Sequence, residues 1–142
     1  MKSKNIDSQT ILIFDTGDEV VSTLTAFAKQ NHIAGAHFTA IGAFSDVGLG
    51  YFDLEKKDYL QNRVNEQVEV VSLLGDIALD KGEPKIHAHV VVGKRNGAAM
   101  GGHLLEAHVR PTLELVLHRS DEQLKRKFDP ASGLALIDIG EK

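Results

Sequence analysis

The 142-residue sequence predicts an α+β domain, a mostly antiparallel mixed sheet carrying two helices. Three observations lead there. Short β-branched and aliphatic runs recur along the chain and are separated by Gly-, Asn- and Asp-containing turns. Only two stretches carry helix-start signals, and strand-helix alternation this sparse does not build a doubly wound parallel sheet. The length suits one domain over residues 1–142, with its core at about 10–139.

The elements follow in order. Thr10-Ile11-Leu12-Ile13-Phe14 is a compact apolar run closed by Asp15-Thr16-Gly17 and reads as the first strand. Thr16-Gly17-Asp18-Glu19 fits a capping box, and Val20, Val21, Leu24, Phe27 and Ala28 then recur at helical spacing, so a helix should run to about Asn31. Ala36 to Asp53 is extended and punctuated by Gly42, Gly48 and Gly50, which predicts two strands with bulges or close backbone approach. Gln67 to Leu74 alternates as a strand, with Val68, Val70 and Ser72 on one face and Glu69, Val71 and Leu73 on the other. Gly75 then permits a bend, and Asp80-Lys81-Gly82-Glu83-Pro84 turns into a strand over Lys85 to Val92. Beyond Pro111, Thr112 to Leu117 reads as a strand. Ser120-Asp121-Glu122-Gln123 fits a second capping box opening a short helix through Phe128, and Leu134 to Ile139 closes the chain as a strand.

The chemistry concentrates in His87-Ala88-His89 and Gly101-Gly102-His103. Residues two apart on a strand share a face, so His87 and His89 point together. Gly93-Lys94-Arg95-Asn96-Gly97 is a reversal, and a turn centred on Arg95 sets His87 opposite His103, converging three imidazoles. A one-residue slip would send His103 to the other face. Three neutral imidazoles with an open fourth position suit zinc, although nickel, iron or copper could use the same ligands; hydrogen-bonding histidines on a half-buried strand are the alternative. With no cysteine, thiolate sites, disulfides and cysteine nucleophiles are excluded. Glu114, with Glu69 behind it, is the candidate acid, base or supporting carboxylate for an enzyme, and a structural hydrogen-bonding role competes with that reading. His32, His37, His108 and His118 have no matched spacing and read as structural. Gly101-Gly102 lacks the basic partner and following helix of a phosphate cradle and is expected to admit a neighbouring backbone. Tyr51, Phe52 and Tyr59 read as core or interface packing.

A formal net charge of −4 gives no general attraction for nucleic acid. Lys125-Arg126-Lys127 follows Asp121 and Glu122 and is expected to be a solvated face near a helix end. The first residues lack an apolar signal core and no run approaches transmembrane length, so a cytoplasmic location without a membrane partner is expected.

Taken in order, Gly42-Ala43, Leu49-Gly50-Tyr51, Glu69 through Gly75, His87-x-His89, Gly101-Gly102-His103-Leu104 and Glu114 resemble the plants-and-prokaryotes-conserved (PPC) domain family, over roughly Thr10 to Ile139. The resemblance implies a compact α+β domain that forms a homotrimer, with His87, His89 and His103 at the metal-binding positions of prokaryotic members. Convergent histidines without a complete catalytic constellation point to a regulatory or small-molecule-binding module; a metal-dependent lyase or hydrolase is the alternative, since the fold group resembles that of acetolactate decarboxylase. DNA binding, a further alternative, is associated with plant members that add an AT-hook; this sequence contains no Arg-Gly-Arg-Pro-like core.

Overall fold

The computed structural model describes residues 1–140. Along the chain lie β1 (Lys2–Ile6), β2 (Gln9–Phe14), α1 (Val20–Gln30), β3 (Gly35–Asp53), β4 (Asp58–Val64), β5 (Val68–Asp80), β6 (Glu83–Gly93), β7 (Ala99–Arg119), β8 (Lys125–Asp129) and β9 (Leu134–Asp138). All pairings between these strands are antiparallel except the single parallel link of β5 to β8. The architecture is therefore α+β with a mostly antiparallel mixed sheet. Strand β3 pairs with β5, β5 with β6, β6 with β7 and β7 again with β3, so the sheet curls into a closed circuit. Closure sets the start of β7 between β6 and the far end of β3, so that His103 pairs with His89 on one side and Gly50 on the other.

Alternation along the strands decides what is buried. Leu113, Leu115 and Leu117 of β7, Phe38 of β3 and Ala88, Val90 and Val92 of β6 point into the core and meet Val20, Leu24, Phe27 and Ala28 of α1. Among the described residues, no helix is long and apolar enough to cross a membrane.

Local chemistry departs from the sequence pattern at four places. The N-cap of α1 is Glu19 rather than Thr16: its carboxylate accepts hydrogen bonds from the amides of Val21 (3.0 Å) and Ser22 (2.7 Å). Thr16 instead donates to the Pro111 carbonyl. Residues 35–53 form one 19-residue strand, because the glycines are absorbed as register shifts near Gly42 and Gly48 instead of chain reversals. In β5 a bulge between Val70 and Ser72 reverses the facing pattern, so that Leu73 joins Val68 and Val70 in the core while Val71 and Leu74 are exposed. Gly75 lies within β5 without ending it; the glycine makes room for the Phe38 ring.

The second helix is absent among the described residues. The Leu124 amide donates to the Ala34 carbonyl and its own carbonyl accepts from Leu79, which ties the segment to the sheet, and residues 125–129 continue as β8 paired with β9. One helical turn with no apolar stripe to bury cannot compete with those sheet bonds. Strands β1 and β4 have no counterpart in the sequence reading; both are short, largely exposed hairpin arms.

Candidate metal centre

Because Ala88 and Val90 of β6 face the core, His87 and His89 must face outward together. The turn is closed by hydrogen bonds from the Gly97 amide to the Lys94 carbonyl and from the Lys94 amide to the Ala98 carbonyl, both 2.8 Å. Gly93 pairs with Ala99, so the turn centres on Asn96, one residue later than expected. That moves each cross-strand partner by two residues and preserves the face: His103 stands opposite His89, not His87. One ring nitrogen from each of His87, His89 and His103 lies within 4.8 Å of the others. The ring centroids are 5.2, 5.3 and 5.4 Å apart.

The backbone behind His103 is tightly fitted. A Cβ on Gly102 would sit 2.7 Å from the Gly50 carbonyl oxygen, and one on Gly50 would sit 2.7 Å from the Tyr59 ring. These glycines let β3 and β7 close up and let Tyr59, on β4, reach across β3 to lie 4.7 Å from the His103 ring.

His87 has a different support. Asp76 of β5 is its cross-strand neighbour and holds a carboxylate oxygen 3.3 Å from the His87 Nδ1. A proton held on Nδ1 by that carboxylate leaves the Nε2 lone pair free, the usual arrangement of a histidine ligand and its supporting acid. The other Asp76 oxygen is bound by the Arg126 Nη2, and the Arg126 Nη1 donates to the Ala135 carbonyl at 3.2 Å. The Arg126 side chain is only 5% exposed. It is thus a buried strut between the C-terminal hairpin and the histidines, which corrects its expected place on a solvated helix face.

His103 is the most enclosed of the three. Burial, followed by the charges of His87, His89 and Lys85, pushes its pKa down to about 4. Burial and then His87 also lower that of His89. The Nδ1 of His103 is buried with no hydrogen-bond partner. An unsatisfied buried nitrogen is costly in a protein interior. Three converging ring nitrogens, with the His103 Nδ1 unpartnered and the basicity of His89 and His103 depressed, fit a divalent cation. A cavity of about 160 Å³ adjoins them, lined by Tyr59, Lys85, Ile86, His87, His103, Arg126 and residues 134–136.

Glu114 and Glu69 line a different cavity with Ile41 and Pro111, of about 590 Å³. Glu114 is eleven residues along β7 from His103, about 35 Å of strand. The remaining histidines also lie apart from the cluster: His37 and His118 stack with centroids 4.8 Å apart, His108 contacts Asp46 at 3.1 Å, and His32 follows α1 with a φ of 52°. Nothing in the sequence places Asp76, Arg126 or Tyr59 beside the histidines, since that link exists only through the β5–β6 register, the closed sheet and the C-terminal hairpin.

This fold and this histidine-bearing hairpin define a known class. The chain belongs to the Plants and Prokaryotes Conserved domain family, whose profile matches residues 1–121. Among solved structures, a candidate DNA-binding protein from Bacteroides thetaiotaomicron is 30% identical and superposes with a TM-score of 0.93 over 96% of each chain. A protein from Archaeoglobus fulgidus described as metal-containing is 34% identical, with a TM-score of 0.85 over 94% of each chain. The plant- and prokaryote-conserved protein of Pyrococcus horikoshii is 31% identical, with a TM-score of 0.87 over 99% of this chain and 96% of that one. Acetolactate decarboxylase of Bacillus subtilis shares the fold at 12% identity and a TM-score of 0.57, over 89% of this chain and 58% of that one. A curated relative, the bifunctional protein GlmU of a Synechococcus strain, is 32% identical over 126 residues, 87% of this chain and 19% of that protein, so the chain spans about a fifth of its length.

Proposed function

We propose that this protein is a homotrimeric metal-binding module in which His87, His89 and His103 hold one divalent cation, zinc before other metals, and that it serves as a regulatory or small-molecule-binding domain. The observation that carries the reading is the convergence of three imidazole nitrogens within 4.8 Å, with the His103 Nδ1 buried and unpartnered. Three nitrogen ligands and an open fourth position are typical of accessible zinc sites. When bound, the metal would supply a Lewis-acidic centre. Asp76 would orient His87, and Tyr59 would wall off one side of His103. The metal-containing relative from Archaeoglobus fulgidus supports the same reading. The trimer is supported by exposed Ile41, Val71, Leu74 and Val91, at 60, 59, 57 and 40% exposure, since aliphatic residues gathered on one sheet surface mark an association face. Metal analysis of the purified chain beside His89→Ala tests the site, and light scattering tests the assembly.

The cavity beside the histidines favours a second reading, a metal-dependent lyase or hydrolase. Glu114 would serve such a reaction only from a neighbouring copy, because within one chain it lines another cavity. Metal-dependent turnover lost in both folded His103→Ala and Glu114→Ala proteins would establish that reading. DNA binding, suggested by the name of the Bacteroides relative, is opposed by the net charge of −4; no binding at micromolar protein in an anisotropy assay at modest salt would remove it.

A further inference from the structure

The cavity beside His87 and His103 has walls of a particular character. Its volume of about 160 Å³ is that of roughly five waters at liquid density, well below the pockets that enclose drug-sized ligands. The two permanently charged side chains in its wall, Lys85 and Arg126, are both cationic, whereas the carboxylates that pair with them, Asp80 and Asp76, are not among the lining residues. Ile86, Leu134, Ala135 and Leu136 supply an apolar remainder. Three neutral imidazoles would also leave a bound divalent cation its full double charge. A strongly hydrated inorganic oxyanion gains little from apolar walls, and a neutral solute gains little from the cationic ones.

We propose that this cavity binds a small organic anion, a short-chain carboxylate whose charged end faces the cation held by the histidines and the Lys85 and Arg126 wall, and whose hydrocarbon part packs on Ile86, Leu134 and Leu136. The inference rests on the metal reading above and adds the ligand class. Arg126 suits the role because it is 5% exposed and its Nε has no partner within the protein, so the guanidinium retains donor capacity after binding Asp76 and the Ala135 carbonyl. Arg126, Leu134, Ala135 and Leu136 all belong to the β8–β9 segment, beyond residue 121 where the family match ends. Ligand choice is therefore set by this chain's C-terminal hairpin as much as by the histidines.

The test uses the full chain loaded with zinc, its metal content measured on the same sample, titrated calorimetrically with butyrate and with the near-isosteric neutral butyramide. Butyrate should bind about tenfold or more tighter than butyramide. Lys85→Gln should weaken butyrate about threefold, and Leu136→Glu, which sets a carboxylate in the cavity wall, about tenfold, with zinc content unchanged in both. Equal binding of the two probes, no butyrate binding at about 10 mM by protein holding one zinc per chain, or variants that bind butyrate as the parent does, would each overturn the ligand assignment while leaving the metal site standing. A parent chain that takes up no zinc would overturn both, and the metal analysis alone identifies that case.

Discussion

Removing Asp76 should cost more stability than removing the arginine it holds. Arg126 is buried, with one ionic acceptor in Asp76, one neutral acceptor in the Ala135 carbonyl and none for its Nε. In Asp76→Ala the guanidinium keeps its charge and only the carbonyl. Breaking a buried pair from one side costs about 3–5 kcal/mol, and the 28% exposure of Asp76 places this case near the lower end, about 3 kcal/mol. In Arg126→Met the buried charge itself is removed, and the Asp76 left behind can hydrate while still accepting from His87, so about 1 kcal/mol is expected. Urea unfolding at one fixed protein concentration reads the difference. With a slope of about 1.5 kcal/mol/M, Asp76→Ala should lower the midpoint by about 2 M and Arg126→Met by less than about 1 M. If Arg126→Met lowered it as much as Asp76→Ala, the strut would owe its stability to packing of the arginine stem, and the electrostatic reasoning would be wrong.

Three further outcomes are expected. Glu19→Ala removes the α1 cap and should cost about 1 kcal/mol at neutral pH. Burial would raise the Glu19 pKa, but the hydrogen bonds from Ser22, Val21 and Ala107 outweigh it and hold the group below its ordinary 4.5. Its contribution is therefore present above about pH 4.5 and lost as pH falls through the folded value, so the gap between parent and variant should narrow in acid melts; a gap that widened would contradict the assignment. Gly75→Ala would set a methyl 2.3 Å from the Phe38 ring and 2.6 Å from the His87 carbonyl oxygen, which should cost about 2 kcal/mol or more by thermal unfolding. Leu74→Lys, on the exposed sheet face, should turn the proposed trimer into a monomer by light scattering, while an unchanged mass would locate the interface elsewhere.

How far the sequence reaches is visible in particular residues. The α1 stripe and the β2 run are legible because periodicity alone dictates which side is buried. The histidine hairpin is legible as a motif but not in its register, since Asn96 and Arg95 are equally plausible turn centres until the hydrogen bonds of Lys94 with Gly97 and Ala98 are known. The inverted faces of β5 are invisible, because a bulge at Val71 leaves no mark in the alternation of apolar residues. Glu19 and Thr16 both lie where a cap could form, and tertiary hydrogen bonds from Ala107 to Glu19 and from Thr16 to Pro111 choose between them. Arg126 is the hardest case. Its lysine neighbours are the signature of a solvated surface, and only the pairing of β8 with β9 and the approach of Asp76 bury it.

The most direct test of the central claim is metal content and stoichiometry by mass spectrometry on untagged parent protein, with His89→Ala beside it. One metal per chain in the parent, lost in a variant that remains folded, is the predicted result. A parent that stays metal-free after incubation with zinc, or a variant that keeps full occupancy, would contradict the three-histidine site.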